Sequence, residues 1–337
     1  MNGDEQVSMR QVSPLIVASF LAMATVGCRP ATNPPPQPAA GGATASDATT
    51  SYPLSVTDDL GVEVALPTEP ERLVSLAPSL TEIVFALGLG DRVVGVTSFC
   101  TYPPEAESKP KVGGYVNPSE EKIVAMDPDL IFCTRGTPIT FISGLRAAGL
   151  TVAAFHETSF DDVVRAIETI GVLCNVQPRA REVAGHLRQG LAELERQTGH
   201  LTVEERPRAL FAVWLDPLFV AGPGSFQDTI LEAAGAINVA NVGKPYANLS
   251  AEAAVRYDPE VLIMSSQHSV KGTAEADSTL AKLRKDPAWK AVSAVKEGRV
   301  VVLDAGHVAV PGPRLVVGMR EIAAALHPDL FGAAETR

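Results

Sequence analysis

Two stretches of the chain align without a gap: YVNPSEEKIVAMDPDLI (Tyr115–Ile131) and YANLSAEAAVRYDPEVL (Tyr246–Leu262). Each copy contains a tyrosine, an Asn or Ser that can cap a helix, an acid in the first helical turn, and an Asp-Pro pair before an apolar run. A capping side chain starts a helix and a proline ends one, so each copy predicts a short helix followed by a buried strand. A unit that returns after 131 residues, from position 115 to 246, predicts two lobes of similar construction.

Short runs rich in Val and Ile alternate with helical patterns on both sides of this repeat. Runs of that kind are typical of parallel sheets covered by helices. Between the two groups, residues 178–198 place apolar side chains at helical spacing with no strand pattern. We therefore predict two similar α/β lobes with parallel, Rossmann-like sheets, joined by a single long interdomain helix, with a ligand cleft between the lobes. The predicted strands are 72–76, 93–97, 130–133, 152–155, 209–213, 219–221, 261–264 and 300–303.

The residues after the first predicted strand match a capping box. Ser79 and Glu82 stand three positions apart, and apolar residues follow at helical spacing. This spacing predicts a helix that opens at Ser79 and ends at Gly88.

The repeated tyrosines and glutamates are the candidate functional residues of the repeat. If the lobes are related by an approximate two-fold axis, Tyr115 and Tyr246 face each other across the cleft, where open α/β sheets bind ligands. Glu121 and Glu252 then lie further out, one on the rim of each lobe. Ordinary half-buried packing is the alternative for the tyrosines, and stabilisation of the helix dipole is the alternative for the glutamates.

Composition excludes several classes of protein. Of 337 residues 46% are hydrophobic, which is ample for a packed core. The 28 Lys and Arg against 39 Asp and Glu give a net charge of −11 with no basic cluster, so a nucleic acid is not an expected partner. Four cysteines without a CxxC pair match neither a disulfide scaffold nor a structural zinc site, and no metal site is predicted.

The N-terminus has the pattern of an export signal. Residues 14–27 form an uncharged apolar run, which is too short for a membrane span, and Cys28 follows small residues. The pattern is similar to that of a bacterial lipoprotein, so we predict a signal peptide over residues 1–27 and lipidation of Cys28. The alternative is a secreted protein cleaved near Cys28, and translation can start at Met1 or Met9. The expected location is extracytoplasmic, in the periplasm or at the cell surface.

The remaining boundaries follow from these patterns. Residues 28–52 are predicted as the lipid anchor and a disordered linker rich in Pro, Ala and Thr. The N-terminal lobe is assigned to residues 53–175, the bridging helix to 176–200 and the C-terminal lobe to 201–337. The three cysteines of the lobes allow one disulfide, with the pairing left open: Cys100, Cys133 and Cys174.

Several stretches of the body resemble one family. The similarity covers about residues 53–328 and includes PLSVTDDLG (53–61), RLVSLAPSLTE (72–82), GVTSFCTYPP (95–104), KVGGY (111–115), residues 222–235, both repeat copies and Pro313-Arg314. The chain thereby resembles the cobalamin- and iron-complex-binding periplasmic substrate-binding proteins of ABC transporters, and is most similar to their cobalamin-binding branch. This resemblance implies two lobes spanned by a rigid helix, a monomer without a cofactor, and a metal chelate carried in the cleft to a permease with its cytoplasmic ATPase.

The resemblance also implies roles for individual residues. The two permease-docking glutamates of the family match Glu121 and Glu252. In the cobalamin branch, aromatic side chains from both lobes clamp the flat ligand. The matching positions are Phe99, Tyr102, Tyr115, Trp214 and Tyr246, of which Trp214 is uncertain by one residue.

The resemblance leaves the identity of the ligand open. The cobalamin branch carries an aspartate and an arginine in a contact segment for which residues 306–310 here have neither. Haem-binding relatives place an axial tyrosine near Tyr115, and siderophore-binding relatives use cleft arginines, for which Arg135 and Arg314 are the candidates. His307 is a further candidate contact, although a single loop histidine is more often only solvated. Cobalamin is the predicted ligand, with haem or a ferric siderophore as alternatives.

An anchored extracytoplasmic enzyme is the competing class. The sequence contains no GxSxG, HExxH or P-loop motif, and its six histidines are scattered. Gly88 and Gly90 lack the third glycine of a dinucleotide-binding loop. We therefore expect a binding protein and no catalytic residues.

Overall fold

The computed structural model describes residues 49–266 and 273–332, so the predicted signal peptide, the start codon and Cys28 lie outside the described residues. Within those ranges no helix combines the length and the apolar character needed to cross a membrane. The first half of the described chain contains β1 (Leu54–Thr57), β2 (Glu63–Leu66), β3 (Leu73–Ser75), α1 (Pro78–Ala86), β4 (Val93–Val96), α2 (Pro104–Glu107), α3 (Glu120–Ala125), β5 (Leu130–Thr134), α4 (Ile139–Ala147), β6 (Val152–Phe155) and α5 (Phe160–Leu173).

A long helix, α6 (Gln177–Thr198), leads into the second half. There follow β7 (Arg208–Leu215), β8 (Leu218–Ala221), α7 (Phe226–Ala233), β9 (Ile237–Asn238), β10 (Tyr246–Asn248), α8 (Ala251–Tyr257), β11 (Val261–Ser265), α9 (Thr273–Leu283), α10 (Ser293–Lys296), β12 (Val300–Leu303), α11 (Ala305–Val308), α12 (Leu315–Leu326) and α13 (Pro328–Phe331). Each of the eight strands predicted from the sequence is present, with ends that differ by no more than two residues.

The first lobe is built on a parallel sheet in the order β4-β3-β5-β6. Its strands are buried apolar runs, as a sheet covered by helices on both faces requires. In a parallel sheet the carboxyl ends of all strands reach the same edge, so the segments that follow β3, β5 and β6 come together there.

The second lobe contains a mixed sheet in the order β10-β8-β7-β11-β12, with β9 paired to β7. The prediction of a parallel sheet in this lobe is wrong in part, because β8 runs antiparallel to β7 and β10 antiparallel to β8. Only Asp216 and Pro217 separate β7 from β8. A two-residue connection cannot make the crossover that parallel strands need, so it forces a hairpin.

Helix α6 confirms the predicted long interdomain helix, and apolar packing also holds the two lobes together. One apolar core cluster contains residues of α5, α6, α7 and α12, among them Ile167, Leu187, Ile230 and Met319, all fully enclosed. The two lobes therefore pack against each other and against one face of α6.

The capping-box prediction at Ser79 is wrong. Helix α1 begins at Pro78, with Ala77 as its N-cap and no capping hydrogen bond from a side chain. Proline suits the first helical position because its fixed φ is already helical and its missing N–H has no partner there. The predicted end of the helix is confirmed, since Gly88 follows it with φ of 78°.

Ser79 instead contributes to a polar cluster at the carboxyl edge of the first sheet. Its hydroxyl donates to Glu157 Oε1 at 3.0 Å, and the hydroxyl of Thr134, the last residue of β5, donates to Glu157 Oε2 at 2.7 Å. Glu157 is buried, and burial raises its pKa to about 7 although both hydrogen bonds oppose the rise.

The three cysteines of the described chain form no disulfide with one another. Cys100, Cys133 and Cys174 are free and buried. Burial raises the pKa of both Cys133 and Cys174 to about 12, so these two side chains stay protonated thiols.

The residues just before β1 are tied to the first lobe. The amide of Thr50 donates to Asn175 Oδ1 at 2.7 Å, and the hydroxyl of Tyr52 donates to the carbonyl of Leu173 at 2.9 Å. The last part of the segment assigned to the linker therefore makes specific contacts with the end of α5.

Asp58 joins the hairpin of β1 and β2 to the first sheet. Its side chain is only 2% exposed and accepts hydrogen bonds from the amides of Leu60, Val62 and Ala154 at 2.9 to 3.0 Å. It also forms an ion pair with Arg146 of α4. One carboxylate therefore satisfies three amides and a guanidinium drawn from three separate segments.

Replacing Asp58 by alanine leaves these buried donors without a partner, so we expect the Asp58→Ala variant to lose about 3 kcal/mol of unfolding free energy. Urea denaturation followed by circular dichroism measures the loss. Glu63 is the control, because it lies in the same hairpin and bonds to Ser55 in an exposed position. We expect Glu63→Ala to change the free energy by less than about 0.5 kcal/mol. Equal losses in the two variants would contradict the assigned role of Asp58.

Glu157 gives the protein a pH-dependent stability. Its pKa rises from 4.5 to about 7 on folding, so the folded state binds a proton more tightly than the unfolded state does. The contribution of Glu157 to stability is therefore fully present below pH 4.5 and falls as the pH rises from 4.5 to about 7, by about 3 kcal/mol at 1.36 kcal/mol per pKa unit. Urea denaturation from pH 4.5 to 7.5 should show this fall, and Glu157→Gln should remove most of it. If Glu157→Gln shows the same dependence of unfolding free energy on pH as the natural protein, Glu157 is not the source of that dependence.

Candidate functional site

Tyr115 lies half-buried in the loop that precedes α3, beside the segment that follows β5. A Cβ atom added to Gly136 would stand 1.9 Å from the Tyr115 hydroxyl oxygen, so the tyrosine can occupy this place only because residue 136 is glycine. Burial, together with the negative charge of Glu157, raises the pKa of Tyr115. The side chain therefore presents a neutral phenol.

Tyr246 begins strand β10, and its ring stacks on Phe219 of β8 with centroids 5.8 Å apart and an interplanar angle of 20°. Its hydroxyl donates to Gln227 Oε1 at 2.9 Å, and Gln227 Nε2 donates in turn to the carbonyl of Val308 at 3.2 Å. Burial raises the pKa of Tyr246 as well. Tyr246 differs from Tyr115 in that it is itself part of a sheet, in the strand that precedes α8.

Phe219 is an aromatic residue of this surface that sequence reasoning missed. It pairs with Trp214 in the antiparallel register of β7 and β8. Side chains of directly paired residues project to the same face of a sheet, so Trp214, Phe219 and Tyr246 form one aromatic strip on the second lobe. The sequence carries no alternating signal here, because Leu218, Phe219 and Val220 are all apolar; the structure buries Leu218 and Val220 and leaves Phe219 partly exposed.

Three of the predicted contact residues expose large aromatic rings to solvent. The exposed fraction is 61% for Phe99, 54% for Trp214 and 44% for Tyr102. Aromatic residues are usually well covered in a folded protein, so exposed aromatic rings at these positions are typical of a binding surface.

Residues of the two lobes approach each other near Arg135, which follows β5. The positive charge of Arg135 partly opposes the rise in the pKa of Tyr246, so the guanidinium lies close enough to act on that ring. Arg135 is the neighbour of Gly136, against which the hydroxyl of Tyr115 rests. The segment that follows β5 therefore lies near both repeat tyrosines.

Tyr102 belongs to a different part of the interface between the lobes. Its ring lies 3.9 Å from the guanidinium carbon of Arg314, the residue before α12. Arg314 donates to Glu82 of α1 from Nε at 2.9 Å and from Nη2 at 2.6 Å. Burial raises the pKa of Glu82, which is 4% exposed, and the bonds to Arg314 oppose that rise. A cavity of about 730 Å³ adjoins this pair and is lined by residues of both lobes, including Phe85 and Val317.

His307 is paired within the second lobe. Its Nδ1 lies 3.0 Å from a carboxylate oxygen of Glu321 on α12, and this bond raises the pKa of His307. The contact joins α11 to α12, so the imidazole has a structural partner before any ligand is considered. Within the described ranges, no group of three or more His, Cys, Asp and Glu side chains is arranged to hold a metal ion.

Glu121 and Glu252 occupy the second position of α3 and of α8. Each helix is capped by a serine hydroxyl, with Ser119 accepting from the amide of Lys122 and Ser250 from that of Ala253, both at 3.3 Å. Both glutamates are exposed. A hydrogen bond with Ser250 lowers the pKa of Glu252, so this carboxylate is ionised near neutral pH.

Comparison with known proteins agrees with the resemblance found in the sequence. Residues 73–306 match the family model described as periplasmic binding protein. A Bacillus subtilis protein named as an uncharacterized ABC transporter substrate-binding lipoprotein is 30% identical over 292 residues, covering 85% of this chain and 90% of the relative. A cobalamin-binding protein of Halobacterium salinarum is 34% identical over 316 residues, covering 91% of this chain and 83% of the relative.

The fold also matches solved structures. The periplasmic heme-binding protein of Roseiflexus in apo form superposes with a TM-score of 0.67 and 28% sequence identity, covering 77% of this chain and 99% of that structure. The chain therefore belongs to the periplasmic binding protein family and is a substrate-binding protein of the ABC transporter type.

Proposed function

We propose that this protein captures a corrinoid such as cobalamin outside the cytoplasmic membrane and delivers it to an ABC importer. The observation that carries the proposal is the set of aromatic rings presented by both lobes. Phe99 and Tyr115 lie in the first lobe, and Trp214, Phe219 and Tyr246 form the strip on the second.

Aromatic rings suit a ligand with a broad, flat ring system. Each buries on the order of 150–250 Å² when it is covered, and rigid rings lose little conformational entropy on binding. The exposed rings of Phe99 and Trp214 have most of that area still available. Binding of a macrocycle between the lobes would therefore be driven largely by apolar contact.

A corrinoid fits the first lobe better than haem does. Coordination of haem iron by Tyr115 would require a phenolate, whereas burial and the charge of Glu157 both favour the neutral phenol. Haem is the second candidate, because the resemblance places the axial tyrosine of haem-binding relatives near Tyr115 and a haem-binding protein shares the fold.

A ferric siderophore is supported least. Acidic siderophores are recognised through arginine charges, and Arg314 is already neutralised by Glu82. Only Arg135 of the two candidate arginines keeps an exposed charge near the tyrosines.

Delivery requires a second surface that the permease recognises. Glu121 and Glu252 present exposed carboxylates at equivalent positions of the two lobes. Two acids at separate points can bind basic pockets of a permease and set the orientation of docking. Charge complementarity contributes more to the orientation of a complex than to its affinity. We place the protein outside the cytoplasmic membrane as a monomer without catalytic activity, anchored by a lipid on Cys28, in line with the lipoprotein named among its relatives.

Calorimetry of the mature protein with cyanocobalamin and with haemin tests the ligand. We expect heat of binding with cyanocobalamin, and Trp214→Ala should weaken its affinity at least tenfold because an exposed anchor ring is lost. Leu330→Ala is the control, since Leu330 is similarly exposed but lies on α13. Binding of haemin with a shifted Soret band, and no heat with any corrinoid, would transfer the assignment to haem.

Uptake of radiolabelled cyanocobalamin by cells of the source organism tests the docking residues. We expect Glu121→Ala and Glu252→Ala, introduced in place of the natural gene, to reduce uptake strongly while the purified variants bind cyanocobalamin normally. Glu204→Ala changes an equally exposed acid outside the repeat helices and should leave uptake unchanged. Loss of cyanocobalamin binding in the glutamate variants would show that these residues have been misplaced.

A further inference from the structure

The helix that carries Glu121 is fastened at its carboxyl end by an arginine from outside the repeat. Arg72, which precedes β3, donates from Nε to the carbonyls of Met126 at 3.1 Å and Asp127 at 2.9 Å, and from Nη2 to Met126 at 2.5 Å. The backbone of the same arginine is held by Asp129, which accepts from its amide at 2.8 Å and donates its own amide to the Arg72 carbonyl at 2.9 Å.

The second lobe repeats this arrangement. Arg208, the first residue of β7, donates from Nη2 to the carbonyl of Tyr257 at 2.5 Å. Its amide donates to Glu260 Oε2 at 2.9 Å, and the amide of Glu260 donates to its carbonyl at 2.8 Å. Tyr257 and Glu260 are the repeat equivalents of Met126 and Asp129, each 131 residues further along the chain. Two arginines outside the repeat therefore bind the carbonyl at the same repeat position in both copies, and Arg72 also binds the carbonyl of Asp127.

Such a restraint matters because the two helices are very short. Helix α3 has 6 residues and α8 has 7, and helices of that length do not persist without tertiary contacts. The serine caps act within each helix, so they cannot set its direction relative to the sheet. The C-terminal end of each helix carries a partial negative charge, and a guanidinium bound there ties that end to the neighbouring strand. This contact restrains the direction of the helix relative to the sheet.

We propose that Arg72 and Arg208 are positioning residues for permease docking, each aiming the glutamate at the other end of its helix. This inference rests on the proposed docking role of Glu121 and Glu252. At 1.5 Å per residue, each glutamate backbone stands about 7 Å along the helix axis from the restrained carbonyl. Without the hydrogen bonds from the arginine, the helix can tilt about its packed face. The carboxylate of the glutamate then moves away from the basic pocket of the permease.

The test uses the uptake assay with Arg72→Met and Arg208→Met. We expect each variant to reduce uptake several-fold while its affinity for cyanocobalamin stays within twofold of the natural protein. Arg72→Lys and Arg208→Lys keep one donor for the carbonyl and should recover part of the uptake. They also test the inference if a methionine variant fails to fold. Arg179→Met is the matched control, because Arg179 donates to the carbonyl of Ala86 at the end of α1, a helix that carries no docking acid.

A double substitution separates positioning from a general structural role. In a chain that already carries Glu121→Ala, Arg72→Met should cost no further uptake, because the carboxylate that it positions is absent. An additive further loss would overturn the inference, as would full uptake by both methionine variants in cells where the glutamate variants fail. Full uptake by Glu121→Ala and Glu252→Ala would instead refute the docking proposal itself, and the inference with it.

Discussion

The two lobes are held against each other by one apolar core that is closed at its edge by the ion pair of buried Glu82 and partly exposed Arg314. Each of these charges would be costly to bury alone, so the pair is stable only while α1 of the first lobe and the start of α12 of the second stay in contact. This contact joins residues 232 positions apart and lies beside Tyr102. The width of the space between Tyr115 and Tyr246 therefore depends on packing elsewhere, in α5, α6, α7 and α12.

Such an arrangement suits capture of a rigid ligand. A packed core deforms little, so the proposed aromatic contacts that are mounted on it would need little rearrangement on binding, and less entropy would be lost. The proposed contacts Tyr115 and Tyr246 are neutral phenols, and Arg135 is the charged candidate near them. Selection would then depend on shape and stacking more than on ion pairing.

The strands and the repeat could be predicted because their signals are local. Buried Val and Ile runs, serine caps and the Asp-Pro pairs act within a few residues, and all of them have their expected effect. The errors arose where distant partners decide the outcome. Ser79 bonds to Glu157 and Glu82 bonds to Arg314, so neither residue was free to form the predicted capping box. Periodicity also identifies a strand without giving its direction, which is why the hairpin of β7 and β8 was missed and Phe219 with it.

The repeat is preserved more strictly on the outer surface than in the cleft. The serine caps, the second-position glutamates, the arginine-held carbonyls and the acids after Asp-Pro all recur in both lobes. The tyrosines recur in sequence only, since Tyr115 rests on Gly136 in a loop whereas Tyr246 stacks on Phe219 within a sheet. The proposed docking acids would then offer a permease two equivalent contact points, one on each lobe. A cleft with two unlike walls can hold a ligand whose own faces differ, as the two faces of a corrinoid do.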